Sequence, residues 1–274
     1  MNTDNDPHEY LCAGPIRADV RVRAGVITVT AEERNTVAVV VTPYDDGEAS
    51  RAAAAETRVS FVNERLHVET PEVDGGWLIR RSGRVRVDLR LPLDSHLAAF
   101  AGSADVHASG RLAGATVRSG SGDVYVDKIG GDLTVESGSG DIRADAVGGA
   151  LGVKTGSGDI RVAAVTGSVT AQAASGDVDI SEAAGAVRVS TASGDVRVGA
   201  ASGDHVQIKA ASGDVSVGVP VGTKVWLDLS TLSGSTTSDL RTIGAPPEGG
   251  TALSVRIHTL SGDIHVHRTG RPAH

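Results

Sequence analysis

Only one cysteine, Cys12, occurs in these 274 residues, and aromatic side chains make up 3% of them. A lone thiol cannot close an internal disulfide, so the chain does not read as an oxidised secreted scaffold. So few large rings point to a narrow core filled by Val, Ile, Leu, Ala and Thr. No apolar run approaches the ~20 residues of a membrane-spanning helix. The opening MNTDNDPHEY is polar and acidic, without the basic and apolar stretches of an export signal. As written, the chain is therefore expected in the cytoplasm. A net charge of −8 disfavours a nucleic-acid partner. No Ser-His-Asp, Cys-x-x-Cys or His-Glu-x-x-His arrangement occurs. Ser-Gly pairs are frequent but lack the strand-turn-helix setting of a nucleophile elbow. No catalytic residue, metal site or cofactor is expected.

What the chain has in quantity is a repeat. Asp105, Asp123, Asp141, Asp159, Asp177 and Asp195 stand 18 residues apart, and Asp214 follows after 19. From Asp123 onward each closes the tripeptide Ser-Gly-Asp, as does Asp263. A short fixed period of this kind is the signature of a solenoid. The period divides into two nonapeptides, each a Gly-containing turn followed by an apolar-x-apolar core. Such alternation predicts a half-buried strand.

Leu133, Leu151, Val169 and Val187 share one predicted inward slot; Val135, Val153, Ala171 and Val189 share the slot two residues on. The other strand stacks Val124, Ile142, Ile160, Val178 and Val196, beside Val126, Ala144, Val162, Ile180 and Val198. Ser137, Thr155, Ala173 and Thr191 are the small inward residues before the turn. Outward slots hold Tyr125, Arg143, Arg161, Asp179 and Arg197. The expected fold is all-β: a parallel β-solenoid of about 18 residues per coil, with two short strands in each and successive coils at ~4.8 Å. A left-handed hexapeptide helix would need an apolar residue every six, whereas these rows recur at nine. Glycine, 35 residues in all, argues against helix except at Ala52 to Glu56.

The pattern marks three regions. Residues 1–100 form an irregular β segment and cap, with strands expected at Ile16 to Arg23, Val26 to Thr30, Val37 to Thr42, Arg58 to Phe61, Leu66 to Glu69 and Arg84 to Leu91. Residues 101–218 form the regular repeat. Residues 219–274 form irregular coils and a cap, with strands at Val225 to Leu229 and Leu253 to Ile257 around a Pro-containing loop.

Three sets of side chains are candidates for function. The first is the ladder Asp105, Asp123, Asp141, Asp159, Asp177, Asp195 and Asp214. Calcium takes roughly six to eight oxygens, and each coil supplies one such carboxylate. The favoured role is a structural turn, with Gly at positive φ and Asp bonding local backbone N–H groups. The second set is histidine: His265 and His267 share an outward face and His258 lies on the other side of the coil, a poor basis for a metal site. The third set is basic. Arg17, Arg21 and Arg23 face outward with Asp19; Arg84, Arg86 and Arg90 do so with Asp88; and Trp77, Arg80 and Arg81 occupy a nearby loop. These residues form a candidate site for an anion or partner on an otherwise acidic chain, against the plainer reading of a solvated strand face.

The motifs together resemble a known group. Gly14-Pro15-Ile16, Gly25-Val26-Ile27-Thr28-Val29, the run Arg84 to Pro92 and the Ser-Gly-Asp-[Val/Ile] coils are similar to the bacterial DUF4097, or toast-rack, family of adhesin-like β-repeat proteins. The resemblance implies a right-handed β-helix without an assigned reaction. The expected role is a non-enzymatic scaffold that offers its surface to a protein partner, to a second copy or to an anionic surface, in envelope stress or adhesion. The alternatives are a polysaccharide lyase or glycosidase on a β-helix, which needs an acid/base pair in an aromatic-lined groove, and a surface adhesin, which needs export.

Overall fold

The computed structural model describes residues 8–70, 83–240 and 253–270. These are strands almost throughout, apart from one helix, and they divide into two compact units at Gly140/Asp141.

The N-terminal unit is organised around a single 16-residue strand, Arg17–Glu32. The sequence reading breaks it at Gly25. The chain instead runs through that glycine at φ 128°, where a Cβ would lie 1.8 Å from the Val85 carbonyl oxygen. Only glycine tolerates both the left-handed angle and this approach. The strand therefore has two halves with different neighbours. On one side, Arg17–Arg21 pair with Arg65–Glu69, and Gly25–Glu32 pair with Val85–Pro92. On the other, both halves pair with the 17-residue strand His96–Leu112. Gly114–Ser119, Val124–Ile129 and Leu133–Ser139 continue the stack, all in parallel.

The first coil of this unit carries antiparallel additions. Arg58–Val62 forms a hairpin with Arg65–Glu69. Its two-residue turn, Asn63-Glu64, has φ of 52° and 57°, the type I′ conformation that matches strand twist. Thr36–Pro43 lies antiparallel to Val85–Pro92, and His8–Leu11 lies antiparallel to Thr36–Pro43. The helix runs Glu48–Glu56, a turn longer at its N-terminus than the alanine run alone indicates. Ser50 Oγ within it accepts the Arg84 N–H at 3.1 Å.

The C-terminal unit is nearly all parallel. Ile142–Val147, Ile160–Val165, Val178–Ala183, Val196–Ala201 and Val215–Pro220 pair in succession. So do Leu151–Ser157, Val169–Ser175, Val187–Ser193 and His205–Ser212. The chain order then breaks. His205–Ser212 pairs with Leu253–Ser261, which in turn pairs with Val225–Ser233. Val215–Pro220 pairs with Ile264–Thr269, which in turn pairs with Thr236–Ser238. The last described coil thus lies between its two predecessors.

The rows read from the repeat are the core. Leu151, Val169 and Val187, and Ile160, Val178 and Val196, are at most 2% exposed. Each such side chain contributes ~1.5–3 kcal/mol on burial. The small residues before the turn are buried: Thr155 Oγ1 donates to the Ser157 carbonyl and Thr191 Oγ1 to the Ser193 carbonyl, both at 3.1 Å, whereas Ser137 Oγ has no hydrogen-bond partner among the described residues.

Candidate functional site

The turns show what the Asp ladder does. Asp105 Oδ1 accepts the Asp123 N–H at 3.0 Å in the N-terminal unit. In the C-terminal unit the contact recurs coil by coil: Asp141 to the Asp159 N–H, Asp159 to that of Asp177, Asp177 to that of Asp195, and Asp195 to that of Asp214, at 2.8–3.0 Å. It continues from Asp214 Oδ1 to the Asp263 N–H, and from Asp263 Oδ1 to the N–H and hydroxyl of Ser235. These two bonds from Ser235 hold the Asp263 carboxyl below the ordinary aspartate range. A carboxylate that accepts a backbone N–H makes a charge-assisted bond, which offsets the repulsion between neighbouring turns. The described residues contain no group of three or more His, Cys, Asp or Glu placed to hold a metal.

His265 and His267 stack, with ring centroids 5.1 Å apart. Burial, then the neighbouring His265, lowers the His267 pKa, and its Nδ1 is buried without a partner. His258 lies across the coil, with Nε2 4.0 Å from Asp228.

The register separates the two arginine strips. Arg17, Arg21 and Arg23 occupy the first half of Arg17–Glu32, whereas Arg86 and Arg90 pair with its second half, opposite Val26 and Thr30. Arg84 stacks on Tyr44 at 3.8 Å, with Arg86 at 5.8 Å from the same ring. Trp77, Arg80 and Arg81 lie outside the described residues.

Around the first strip the structure assembles residues that the sequence reading did not connect. Arg21 lies opposite Glu69 on one side and Phe100 on the other, and Phe100 lies opposite Arg118. Arg21 and Arg118 approach the Phe100 ring at 5.2 and 5.8 Å, within cation–π range. Arg118 also pairs with Glu136 at 3.0 Å, and Arg21 with Asp19 at 3.2 Å. A shallow groove of 640 Å³ runs beside this column, edged by Arg21, Arg23 and Arg118. The 18-residue spacing of Phe100, Arg118 and Glu136 would have revealed the column.

A second groove, of 810 Å³, lies on the same half of the coils. Arg17 has Arg65 opposite it on one side and His96 on the other, all three exposed. The next outward row is His67, Asp19, Ala98, Thr116 and Thr134. Arg65, His67 and His96 were missed because their positions depend on the register of the Arg58–Glu69 hairpin, which no 18-residue spacing encodes.

The coil stack, the ladder of turns and the outward grooves define a parallel β-solenoid that offers side-chain rows on open faces. The sequence matches the Toastrack DUF4097 family over residues 19–267, and the chain belongs to that family. Solved structures similar to it include a "putative adhesin" from Bacteroides fragilis, 11% identical, with a TM-score of 0.46 and coverage of 98% of each chain. A "putative lipid binding protein" from Parabacteroides distasonis is also 11% identical, with a TM-score of 0.41 and 98% coverage of each chain. No curated protein matches the chain. No described helix is long and apolar enough to cross a membrane.

Proposed function

We propose that the protein is a non-enzymatic interaction scaffold that binds an acidic partner through the outward faces of its N-terminal unit. The observation that carries this reading is the pair of open grooves edged by Arg17 and Arg65 and by Arg21, Arg23 and Arg118. Guanidinium groups grouped on an acidic protein favour carboxylate- or phosphate-bearing partners. Shallow grooves suit an extended or flat partner better than a small substrate that must be enclosed for reaction.

The test is cosedimentation with phosphatidylglycerol vesicles and with polyglutamate, alongside neutral phosphatidylcholine vesicles. Sedimentation velocity of the protein alone tests a second copy as the partner. Binding to at least one anionic probe or self-association, weakened as salt rises past the ~10 Å screening length of 0.1 M, is the expected result. A monomer that ignores every probe at low salt would sink the reading.

A further inference from the structure

Arg65, Arg17 and His96 form one outward row across three adjacent parallel strands. Strand spacing of ~4.8 Å sets their Cα atoms that far apart. Among the described residues, neither Arg17 nor Arg65 has a carboxylate in ion-pair contact. The acids nearby are engaged: Asp94 makes a two-bond pair with Arg111, Asp19 bonds Arg21 and faces His67, Glu64 accepts the Ala13 N–H at 3.3 Å, and Asp132, on the far rim of the groove, has an interaction of its own. The next position in the row is Gly114, which faces His96 across the strands, and the coil beyond it brings Asp132 to the groove. A Cβ there would lie 3.2 Å from His96 Nδ1, so the glycine leaves room for the imidazole.

Beyond this basic end the groove changes character. Its floor is small, with Ala98 among Gly and Ala positions, and Thr116 and Thr134 present hydroxyls along it. Asp19 adds an acceptor beside them. A ligand that fits all of this carries an anionic oxygen pair at one end and a flat hydroxyl-bearing body beyond. Two guanidinium forks match a carboxylate or phosphate bidentately. Hydroxyl donors suit Asp19, whereas a second phosphate along the groove would be repelled by it.

We infer that this groove binds an acidic saccharide, with Arg17 and Arg65 clamping a ring carboxylate and with Asp19, Thr116 and Thr134 contacting ring hydroxyls. The inference rests on the scaffold reading and narrows its partner to one chemical class. An apolar sugar face would lie on Ala98, and the next sugar would extend along the strands' outward rows.

Calorimetric titration with trigalacturonate, its methyl ester, inorganic phosphate and phosphatidylglycerol vesicles is the test. Trigalacturonate binding is expected, with at least about ten-fold weaker binding of the uncharged ester, since charge-assisted bonds are lost. Arg17→Ser with Arg65→Ser should weaken trigalacturonate by at least the same factor. Thr116→Trp, which fills the floor without altering charge, should do likewise. Arg84→Ser with Arg90→Ser, on the other half of the coil, should leave affinity within about two-fold. Trigalacturonate binding unaffected by both groove variants would overturn the site. Phosphate or vesicle binding without trigalacturonate binding would overturn the saccharide assignment while leaving the scaffold reading intact. Silence toward every probe would remove both.

Discussion

The N-terminal unit surrounds its first coil with a hairpin, two further antiparallel strands and a helix, whereas the C-terminal unit repeats a single turn with little variation. The difference shows in what the polar groups do. In the C-terminal unit the turn carboxylates bond the next coil's backbone and the inward threonines bond local carbonyls. In the N-terminal unit Arg17 and Arg65 have no such task and edge a groove. Both units share the turn bond, and what the irregular first coil adds is a row in which Arg65, Arg17 and His96 lie side by side.

The sharpest way to test the regular region is to put a charge into its dry rows. Ile160→Asp should destabilise by more than about 4 kcal/mol or prevent folding, because it leaves a cavity and an unpaired charge. Arg161→Ser, one residue on and outward, should cost under about 1 kcal/mol although it removes the pair with Asp159. Equal midpoints in urea for the two variants would show that the rows are misassigned.

A step smaller is Gly176→Ala. Its φ is 118° and the new Cβ would sit 2.3 Å from the Gly158 carbonyl oxygen, so a loss of at least about 2 kcal/mol is expected. Gly14→Ala in the N-terminal unit meets nothing within 4 Å and should change the melting temperature little. A harmless Gly176→Ala would mean that the turns are looser than their stacking implies.

Asp177→Ala should cost about 1–2 kcal/mol, since the Asp195 N–H loses its 2.9 Å acceptor. Asp177→Asn keeps an acceptor oxygen there and should recover most of that loss. Matching losses would assign the effect to charge rather than to the turn bond.

Two smaller effects concern acid and calcium. Asp263 has a depressed folded-state pKa, so its contribution is present above the unfolded value of ~3.9 and is lost as pH falls through the lower folded value. Asp263→Asn should therefore flatten the acid limb of stability slightly, as read by urea midpoints across that window. Calcium should leave the melting temperature unchanged, because ladder Oδ1 atoms already accept backbone N–H groups; a rise reversed by chelator would contradict this.

Legibility followed the same division. Rows such as Ile142, Ile160 and Val178 were readable because parallel coils repeat one register, so a spacing of 18 is also a contact. The family was legible from the same turns and from the run Arg84 to Pro92. The grooves were not, since Arg65 reaches Arg17 only through a hairpin closed by Asn63 and Glu64 at positive φ. The two arginine strips share the Arg17–Glu32 strand as a neighbourhood, but Gly25 lies between the halves they occupy. The position of Leu253–Ser261 was equally hidden: it and Val225–Ser233 both carry an apolar alternation that fits beside His205–Ser212, and the pattern alone does not rank the two.

That position affects how the chain can be made. During synthesis, Val225–Ser233 leaves the ribosome before Leu253–Ser261, the strand it rests on. The next stretch after Val215–Pro220 therefore has to wait, or settle provisionally on His205–Ser212 and be displaced when its true neighbour arrives. Most stacked repeats can grow one rung at a time behind the ribosome. Here Val225–Ser233 and Leu253–Ser261 are completed together, so the nascent unit keeps an unfinished edge at His205–Ser212 until Leu253–Ser261 emerges.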